Sequence, residues 1–382
     1  MGSPKIHHQV PVVKDNSQVW RVLGTMSGTS CDGLDLVLLQ MDENGGAVQV
    51  LESEGFGYPE SLQNRLRGLG ETNETKAREL ERDWTLWVIA KAVDCRDKWS
   101  DQHGGLDLMG FSGHTWFHEP GGRGTCAIGD AALLQGALGL PVVADYRSAD
   151  VAAGGQGAPL VPLFDAMVFG GHAACANLGG IANVTLLSQR ETQGVRAWDV
   201  CGCNLLLNRQ AQRAGRPFDE GGVLAAQGQV DHAVMAKLQA WPYLHRNPPK
   251  SLAAEDLSPL HGLLDAMALP EDAMATAVEW MAQTLARSIK LNGLPGQILV
   301  TGGGAHHRFL LERWSAHLGK EWKLDVPSAL WIDGKEAAAF AWLAQRTALG
   351  KTTSLASVTG ATRDVCGGVL FGNFAAPGMN GK

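Results

Sequence analysis

Residues Gly24–Asp35 read GTMSGTSCDGLD, a glycine- and hydroxyl-rich stretch held between the apolar runs Val19–Leu23 and Leu36–Leu39. Polar turn residues between two apolar runs specify a β-hairpin, and a tip this rich in glycine exposes main-chain N–H groups. With the hydroxyls of Ser27, Thr29 and Ser30 beside them, those groups form a concavity suited to phosphate oxygens. A Walker loop is excluded, because no Gly-Lys-Ser/Thr follows and no helix begins there. The carboxylates of Asp32 and Asp35 would repel phosphate unless a divalent cation lay between them. The segment therefore reads as a clamp for the phosphates of a magnesium nucleotide.

A second glycine-tipped hairpin is written into Ala174–Leu187, with Gly179 and Gly180 at its turn. One such hairpin early and one mid-chain suggest a duplicated domain that holds a ligand between its copies. Elsewhere strands and helices alternate, which points to an α/β protein. Arg78–Trp99 places Leu80, Trp84, Val88, Cys95 and Trp99 along one helical stripe. Short strands are expected at Asp107–Phe111, Val142–Asp145 and Gln297–Thr301, and helices at Arg308–His317 and Lys335–Leu349. Ala149–Leu160 has no period and several glycines, so it reads as a crossing between domains. At 382 residues the chain is long for one core and suits two domains sharing a cleft. The expected division is residues 1–149 completed by 371–382, against 150–370.

Composition narrows the class. Hydrophobic residues make up 45%, enough for a large interior, and the net charge of −7 argues against nucleic acid or an anionic membrane as partner. The seven cysteines are scattered without a CxxC pair, which argues against a disulfide framework or zinc ribbon. Met1–Gln18 is polar, and Ala127–Ala144 is interrupted by Asp130, Gln135 and glycines, so neither a secretion signal nor a membrane span is expected. The expectation is a reduced, cytoplasmic enzyme or binding protein.

Several side chains stand where chemistry could occur. Asp199 follows an expected strand (Val195–Trp198) and precedes a helix from Asn204, so it is either a general base at a strand end or an N-capping aspartate. A neighbouring helix N-terminus would lower its pKa and burial would raise it. Glu336, after the Asp333-Gly334 turn, either serves a site or offsets a helix dipole in the first turn. Arg147 either makes a two-pronged contact with a substrate carboxylate or an ordinary ion pair. Lys250 sits on a proline-stiffened loop as a phosphate contact or a solvated charge. The glycines after Gln297–Thr301 could present N–H groups to phosphate or let adenine lie on the backbone. His114 and His118 have i, i+4 spacing but no third metal ligand. Gly110-Phe111-Ser112-Gly113-His114 falls short of a nucleophile elbow, since His stands where Gly is required.

In order along the chain, these segments resemble the anhydro-N-acetylmuramic acid kinases, enzymes of cell-wall recycling in the actin/hexokinase-like ATPase superfamily. The resemblance runs from Gly24 to about Leu370. It is carried by GTMSGTSCDGLD, Gly113-His114-Thr115, Ile128-Gly129-Asp130 and ADYRSADVAAGGQGAPLVPLFD (Ala144–Asp165), followed by NLGGIANVT, PPKS, TGGGAHH and EAAAFAWLA. It implies an α/β fold of two actin-like (ribonuclease H-like) lobes around a central cleft. It also implies a kinase that opens the 1,6-anhydro ring with water while phosphorylating O6 from ATP, giving N-acetylmuramate 6-phosphate and ADP.

Carried over residue by residue, ATP would be held by Gly28, Thr29, Ser30, Cys31, Asp32, Gly33, Leu34 and Asp35, and by Gly179, Gly180, Gly302 and Gly303. Asp199 would activate the water. Glu336 would help hold sugar and water, and Thr115, Arg147 and His114 would contact the sugar. Magnesium is expected through water, with Asp32 as candidate. The partner implied is a small-molecule sugar, and a homodimer is left open. Three departures stand out: Asp-Val-Cys-Gly-Cys-Asn (Asp199–Asn204) replaces the usual Asp-Thr-Gly-Pro-Gly-Asn, His114 replaces the usual Gln, and the usual arginine run after the Asp-aromatic pair keeps only Arg147. They keep a kinase for another anhydrosugar such as levoglucosan in play, beside a serine hydrolase using Ser112 or a non-catalytic nucleotide sensor.

Overall fold

A computed structural model describes residues 19–28, 31–188, 191–248 and 250–374. Thr29 and Ser30, two of the expected phosphate contacts, lie outside the described residues. The chain falls into two compact units, one ending at Val168 and resuming at Ala329, the other Phe169–Ser328.

The first unit opens with β1 (Trp20–Met26), β2 (Gly33–Met41) and β3 (Val48–Gly57), an antiparallel meander in which Met26 faces Asp35 across the first turn. After α1 (Glu60–Arg67) and α2 (Glu74–His103), β4 (Leu108–Gly110) returns parallel to β1. The chain then makes a ribbon, β5 (His114–Glu119) with β6 (Gly124–Ile128), then α3 (Ala131–Leu138) and β7 (Val142–Ala144), parallel to β4. Two short helices follow, α4 (Ser148–Ala152) and α5 (Val161–Val168).

The second unit repeats the plan. It contains β8 (Ala174–Leu178), β9 (Ile181–Ser188), β10 (Glu191–Gly202), α6 (Asn204–Arg213), α7 (His232–Gln239), α8 (Ser258–Asp265), α9 (Pro270–Asn292), β11 (Gln297–Thr301), α10 (Arg308–Leu318) and β12 (Lys323–Asp325). The chain then rejoins the first unit as α11 (Ala329–Ala348), α12 (Ala356–Thr359) and β13 (Val369–Phe371), the last pairing with β7.

The sheet orders are β3-β2-β1-β4-β7-β13 and β10-β9-β8-β11-β12. Leaving β13 aside, order and strand direction are the same: two antiparallel pairings, then two parallel ones. The duplication suggested by two glycine-tipped hairpins is thus present as topology, each hairpin forming strands one and two of its sheet.

Local chemistry explains the elements that matter most. Helix α2 buries the expected stripe of Leu80, Trp84, Val88, Cys95 and Trp99. The Asn73 side chain caps it by accepting from the Lys76 amide, and Gly104 at φ 89° ends it. Helix α11 begins at Ala329, so Asp333 and Gly334 lie inside it, and Glu336 is not in its first turn. The dipole reading of Glu336 falls with that correction. Nor is α11 amphipathic: Ala337–Gln345 are all buried. It lies directly on the first sheet because β1 and β4 lack side chains at the crossing. A Cβ on Gly24 would stand 2.0 Å from the Ala337 carbonyl oxygen, and one on Gly110 2.2 Å from that of Phe340.

The unit boundaries differ from the expected ones at 149/150 and 370/371. The glycine-rich stretch after Ala149 does not cross between units but is tied down inside the first. Asp150, fully buried, accepts from the Gly157 amide (2.7 Å) and from the hydroxyls of Ser354 and Thr359 (2.8 Å each). A buried carboxylate with three donors is a fixed anchor, and the glycine spacing that reads as a flexible crossing instead makes room around it. A Cβ at Gly155 would meet Asp150 Oδ2 at 2.2 Å.

Candidate active site

In the first unit, the turn between β1 and β2 carries Ser27, Gly28, Cys31 and Asp32. Cys31 has a left-handed backbone, φ 53°, and its amide donates to the Gly28 carbonyl at 3.1 Å. Asp32 is exposed, and its carbonyl accepts from the Tyr58 amide at 3.2 Å. Gly33 and Leu34 begin β2, with Leu34 buried, so Leu34 serves the core. A Cβ on Gly33 would stand 2.5 Å from the Phe56 carbonyl oxygen, so glycine is required for strand packing there.

Asp35 faces a gathering of acids. Burial first, then Asp32, Glu336 and Asp333, push its carboxyl up to about 7. Glu336, half-buried on α11, is also raised by burial, with Lys335 opposing and Asp165 adding. Lys335 and Asp165 form a buried ion pair at 3.0 Å, each side chain 3% exposed. Sequence reading did not foresee this pair, whose signal was a lysine just before the apolar run Ala337–Ala344 of α11.

The expected sugar contacts divide. Arg147 is half-buried beside α4, donates to the Gly157 carbonyl at 3.2 Å, and has its pKa lowered by burial. Its charge also lowers the pKa of His118 on β5, after burial, which is the larger cause. Thr115 stands on the same ribbon, half-buried at a bulge between Thr115 and Phe117. His114 departs from this group: it is 2% exposed, with Nδ1 2.7 Å from Ser27 Oγ and Nε2 3.8 Å from Cys31 Sγ. Its ring faces the first turn, and burial lowers its pKa to about 4. His118 Nδ1 lies 3.0 Å from Thr125 Oγ1, and among the described residues no group of three metal-ligating side chains occurs. Ser112 Oγ donates to the Gly113 carbonyl at 3.0 Å, not to a histidine.

In the second unit, Asp199 lies within β10 at an irregularity: Asp199 pairs with Asn183 and Cys201 with Ala182, leaving Val200 as the extra residue. A bulge of this kind re-aims the neighbouring side chain. The capping alternative fails, since α6 starts at Asn204 and the Asp199 carboxylate instead accepts from the Leu252 amide at 2.8 Å. Segment 243–252 also grips its backbone: the Asp199 amide donates to the Lys250 carbonyl (3.0 Å), and Tyr243 OH donates to the Asp199 carbonyl (2.7 Å). Burial raises the Asp199 pKa, and the Leu252 amide partly offsets it. Among the described residues Oδ1 has no hydrogen bond. Lys250 is anchored, donating to the Tyr243 carbonyl at 3.1 Å with Nζ 4.4 Å from the centre of the Tyr243 ring.

Close by in sequence order, the Gly179 carbonyl accepts from the Asn204 amide (3.1 Å) and the Gly180 carbonyl from those of Cys203 (2.9 Å) and Leu205 (3.2 Å). The second glycine turn is thereby fixed to the start of α6. Gly302, at φ 80°, leaves no room for a side chain: its Cβ would meet Asn177 Oδ1 at 2.4 Å. Gly303 would bring a Cβ 3.4 Å from Asn204 Nδ2. Gly179, Gly180, Gly302 and Gly303 therefore gather around one helix start. Cys201 and Cys203 are buried thiols with raised pKa, Cys203 up to about 12.

A sheet order used twice, each copy opening on a glycine-containing hairpin, defines the duplicated fold, and in the second copy a carboxylate is presented from a bulge. A family model described as anhydro-N-acetylmuramic acid kinase matches residues 20–373. The chain belongs to the anhydro-N-acetylmuramic acid kinase family. Curated relatives of that name include one from Cereibacter sphaeroides, 38% identical over 92% of this chain and 95% of its own length. Another, from Ruegeria sp. (strain TM1040), is 35% identical over 92% and 94%, and one from Methylobacterium nodulans is 36% identical over 91% and 99%. Among solved structures, the activator of the 2-hydroxyisocaproyl-CoA dehydratase from Clostridium difficile with bound ADPNP covers 86% of this chain and 96% of its own. That match, at TM-score 0.44 and 12% identity, is too distant to assign any role. No described helix is long and apolar enough to cross a membrane.

Proposed function

We propose that the protein is an ATP-dependent kinase of cell-wall recycling. It opens 1,6-anhydro-N-acetylmuramic acid with water and phosphorylates O6, releasing N-acetylmuramate 6-phosphate and ADP. Family membership across residues 20–373 sets the reaction class, and the observation that carries the chemistry is Asp199. It is half-buried with raised pKa, one oxygen fixed by an amide and the other without a donor among the described residues. A carboxylate so placed is oriented yet retains a basic oxygen, as a general base requires.

Asp199 takes a proton from the water that attacks the anomeric carbon. The anomeric C–O bond breaks, and the bridging oxygen, retained as O6, accepts the γ-phosphoryl group. Glu336 orients sugar and water, Thr115 positions a sugar hydroxyl, and the Arg147 guanidinium fits the lactyl carboxylate. The turn at Gly28–Asp35 offers N–H groups to the triphosphate, and Gly179, Gly180, Gly302 and Gly303 let nucleotide approach the backbone. A magnesium ion suits the acids at the first turn, since Asp35 is held near 7 partly by mutual repulsion that a cation would relieve. Asp32 and Asp35 would hold it, through water; when bound, it neutralises charge on the β- and γ-phosphates.

Neither rival reading gains from the geometry. The His114 departure faces the first turn, so it gives no ground for a levoglucosan kinase, and the Ser112 hydroxyl donates to the Gly113 carbonyl, with no histidine partner among the described residues. The test is turnover with ATP in ¹⁸O-labelled water. The anhydromuramic sugar should yield ADP and a 6-phosphate sugar with label at C1 and none in the phosphate. Faster turnover of levoglucosan, or label in the phosphate, would overturn the assignment.

A further inference from the structure

We propose that His114 is a positioning residue for the nucleotide-phosphate turn, holding Ser27 and Cys31 through a one-way chain of hydrogen bonds that starts at Trp84. The inference rests on reading that turn as phosphate-binding. Trp84 Nε1 can only donate, and it donates to Tyr58 OH at 3.1 Å. In the proposed chain Tyr58 OH donates to Ser27 Oγ, 2.6 Å away. Ser27 in turn donates to His114 Nδ1 at 2.7 Å. With Nδ1 accepting, the neutral imidazole carries its proton on Nε2, which faces Cys31 Sγ at 3.8 Å.

The donor-only indole fixes the direction of the first bond, and the onward directions are those of the proposed chain. All five side chains are buried, from Trp84 at 0% to Tyr58 at 7% exposed, so no bond in the chain is readily exchanged for one to water. Its last member, Cys31, is a non-glycine residue in the left-handed region, a conformation that persists only where the surroundings hold it. His114 therefore grips both ends of the turn, Ser27 leaving β1 and Cys31 approaching β2. Gly113 lets the ring reach there: at φ 66°, its Cβ would crowd Ala127 Cβ at 3.0 Å.

The experiment pairs His114→Leu, which keeps bulk but no polarity, with His114→Gln, whose carbonyl can accept from Ser27 and whose amide can donate to Cys31. Affinity for a non-hydrolysable ATP analogue should fall roughly 10- to 100-fold in the Leu variant, while KM for the anhydrosugar stays within about twofold. The Gln variant should recover most of that affinity. A change in sugar KM with analogue affinity intact would overturn the proposal, as would equal behaviour of Leu and Gln. Should the Leu variant not fold, Tyr58→Phe cuts the chain on the other side of Ser27. It should weaken the analogue by roughly 3- to 10-fold, and unchanged affinity would overturn the proposal. If the wild-type protein itself fails to bind the analogue, the phosphate-turn reading fails, a result distinct from any of these.

Discussion

The two units share a sheet order but differ in charge around their first hairpins. In the first, burial and then the charges of Asp32, Glu336 and Asp333 push Asp35 up to about 7. In the second, the carbonyls of Gly179 and Gly180 accept hydrogen bonds from the amides at the start of α6, and Asp199 owes its raised pKa chiefly to burial. In the proposed reaction the acids around Asp35 would be relieved by a cation, whereas the half-buried Asp199 would serve as a base. One topology, used twice, thus carries acids beside its first hairpin turn in one unit and a single carboxylate at a bulge of its third strand in the other. Glycine is also used differently. In the first unit Gly24 and Gly110 admit a core helix, and in the second Gly302 shapes a loop.

The sharpest test of this contrast is Asp199→Asn. It should lower kcat by roughly 10²- to 10⁴-fold, with the melting temperature little changed, because the amide oxygen can still accept from Leu252. A large loss of stability instead would make Asp199 structural and dissolve the contrast. Next comes Gly24→Ala, expected to cost about 3 kcal/mol or more in denaturant unfolding, since a backbone carbonyl 2.0 Å away cannot yield as a side chain would.

Asp35 gives the electrostatic test. Its native pKa lies above the ordinary 3.8, so between about pH 4 and 7 the native state binds more protons than the unfolded state. Stability from this group is then greatest below about pH 4 and is lost as pH rises through 7, by at most about 4 kcal/mol. Asp35→Asn should accordingly be more stable than wild type at pH 8 and nearly equal at pH 4. Magnesium should raise the wild-type melting temperature at pH 8 more than that of the variant; equal responses would remove the cation from this turn. The smallest effect is expected from Gly302→Ala, which should weaken nucleotide binding before it lowers the melting temperature. The reverse order would give Gly302 the same structural duty as Gly24.

Much of this was legible in the chain itself. Polar turns between apolar runs announced both hairpins, and the Leu80–Trp99 stripe announced α2, because local periodicity and turn chemistry are properties of neighbouring residues. Strand Gln297–Thr301 fell where expected. The misreadings came where distant segments intervene. Asp333-Gly334 looks like a turn, yet the pair is helical because Gly334 must lie against Val37 and Ser53, where a Cβ would stand 2.7 and 3.0 Å away. The glycines after Ala149 look like a linker, yet Asp150 holds them through Ser354 and Thr359, some two hundred residues on.

The same division holds at the site. Sequence alone determined which residue types stood at the turns, the order of the motifs and hence the family, since these need no knowledge of what lies nearby in space. Only the tertiary structure decided that Asp199 sits on a bulge rather than a helix cap, that His114 turns inward to Ser27, and that Asp35 shares its surroundings with Asp333 and Glu336. Protonation and hydrogen bonding depend on distance and burial, and those are set by contacts between segments far apart along the chain.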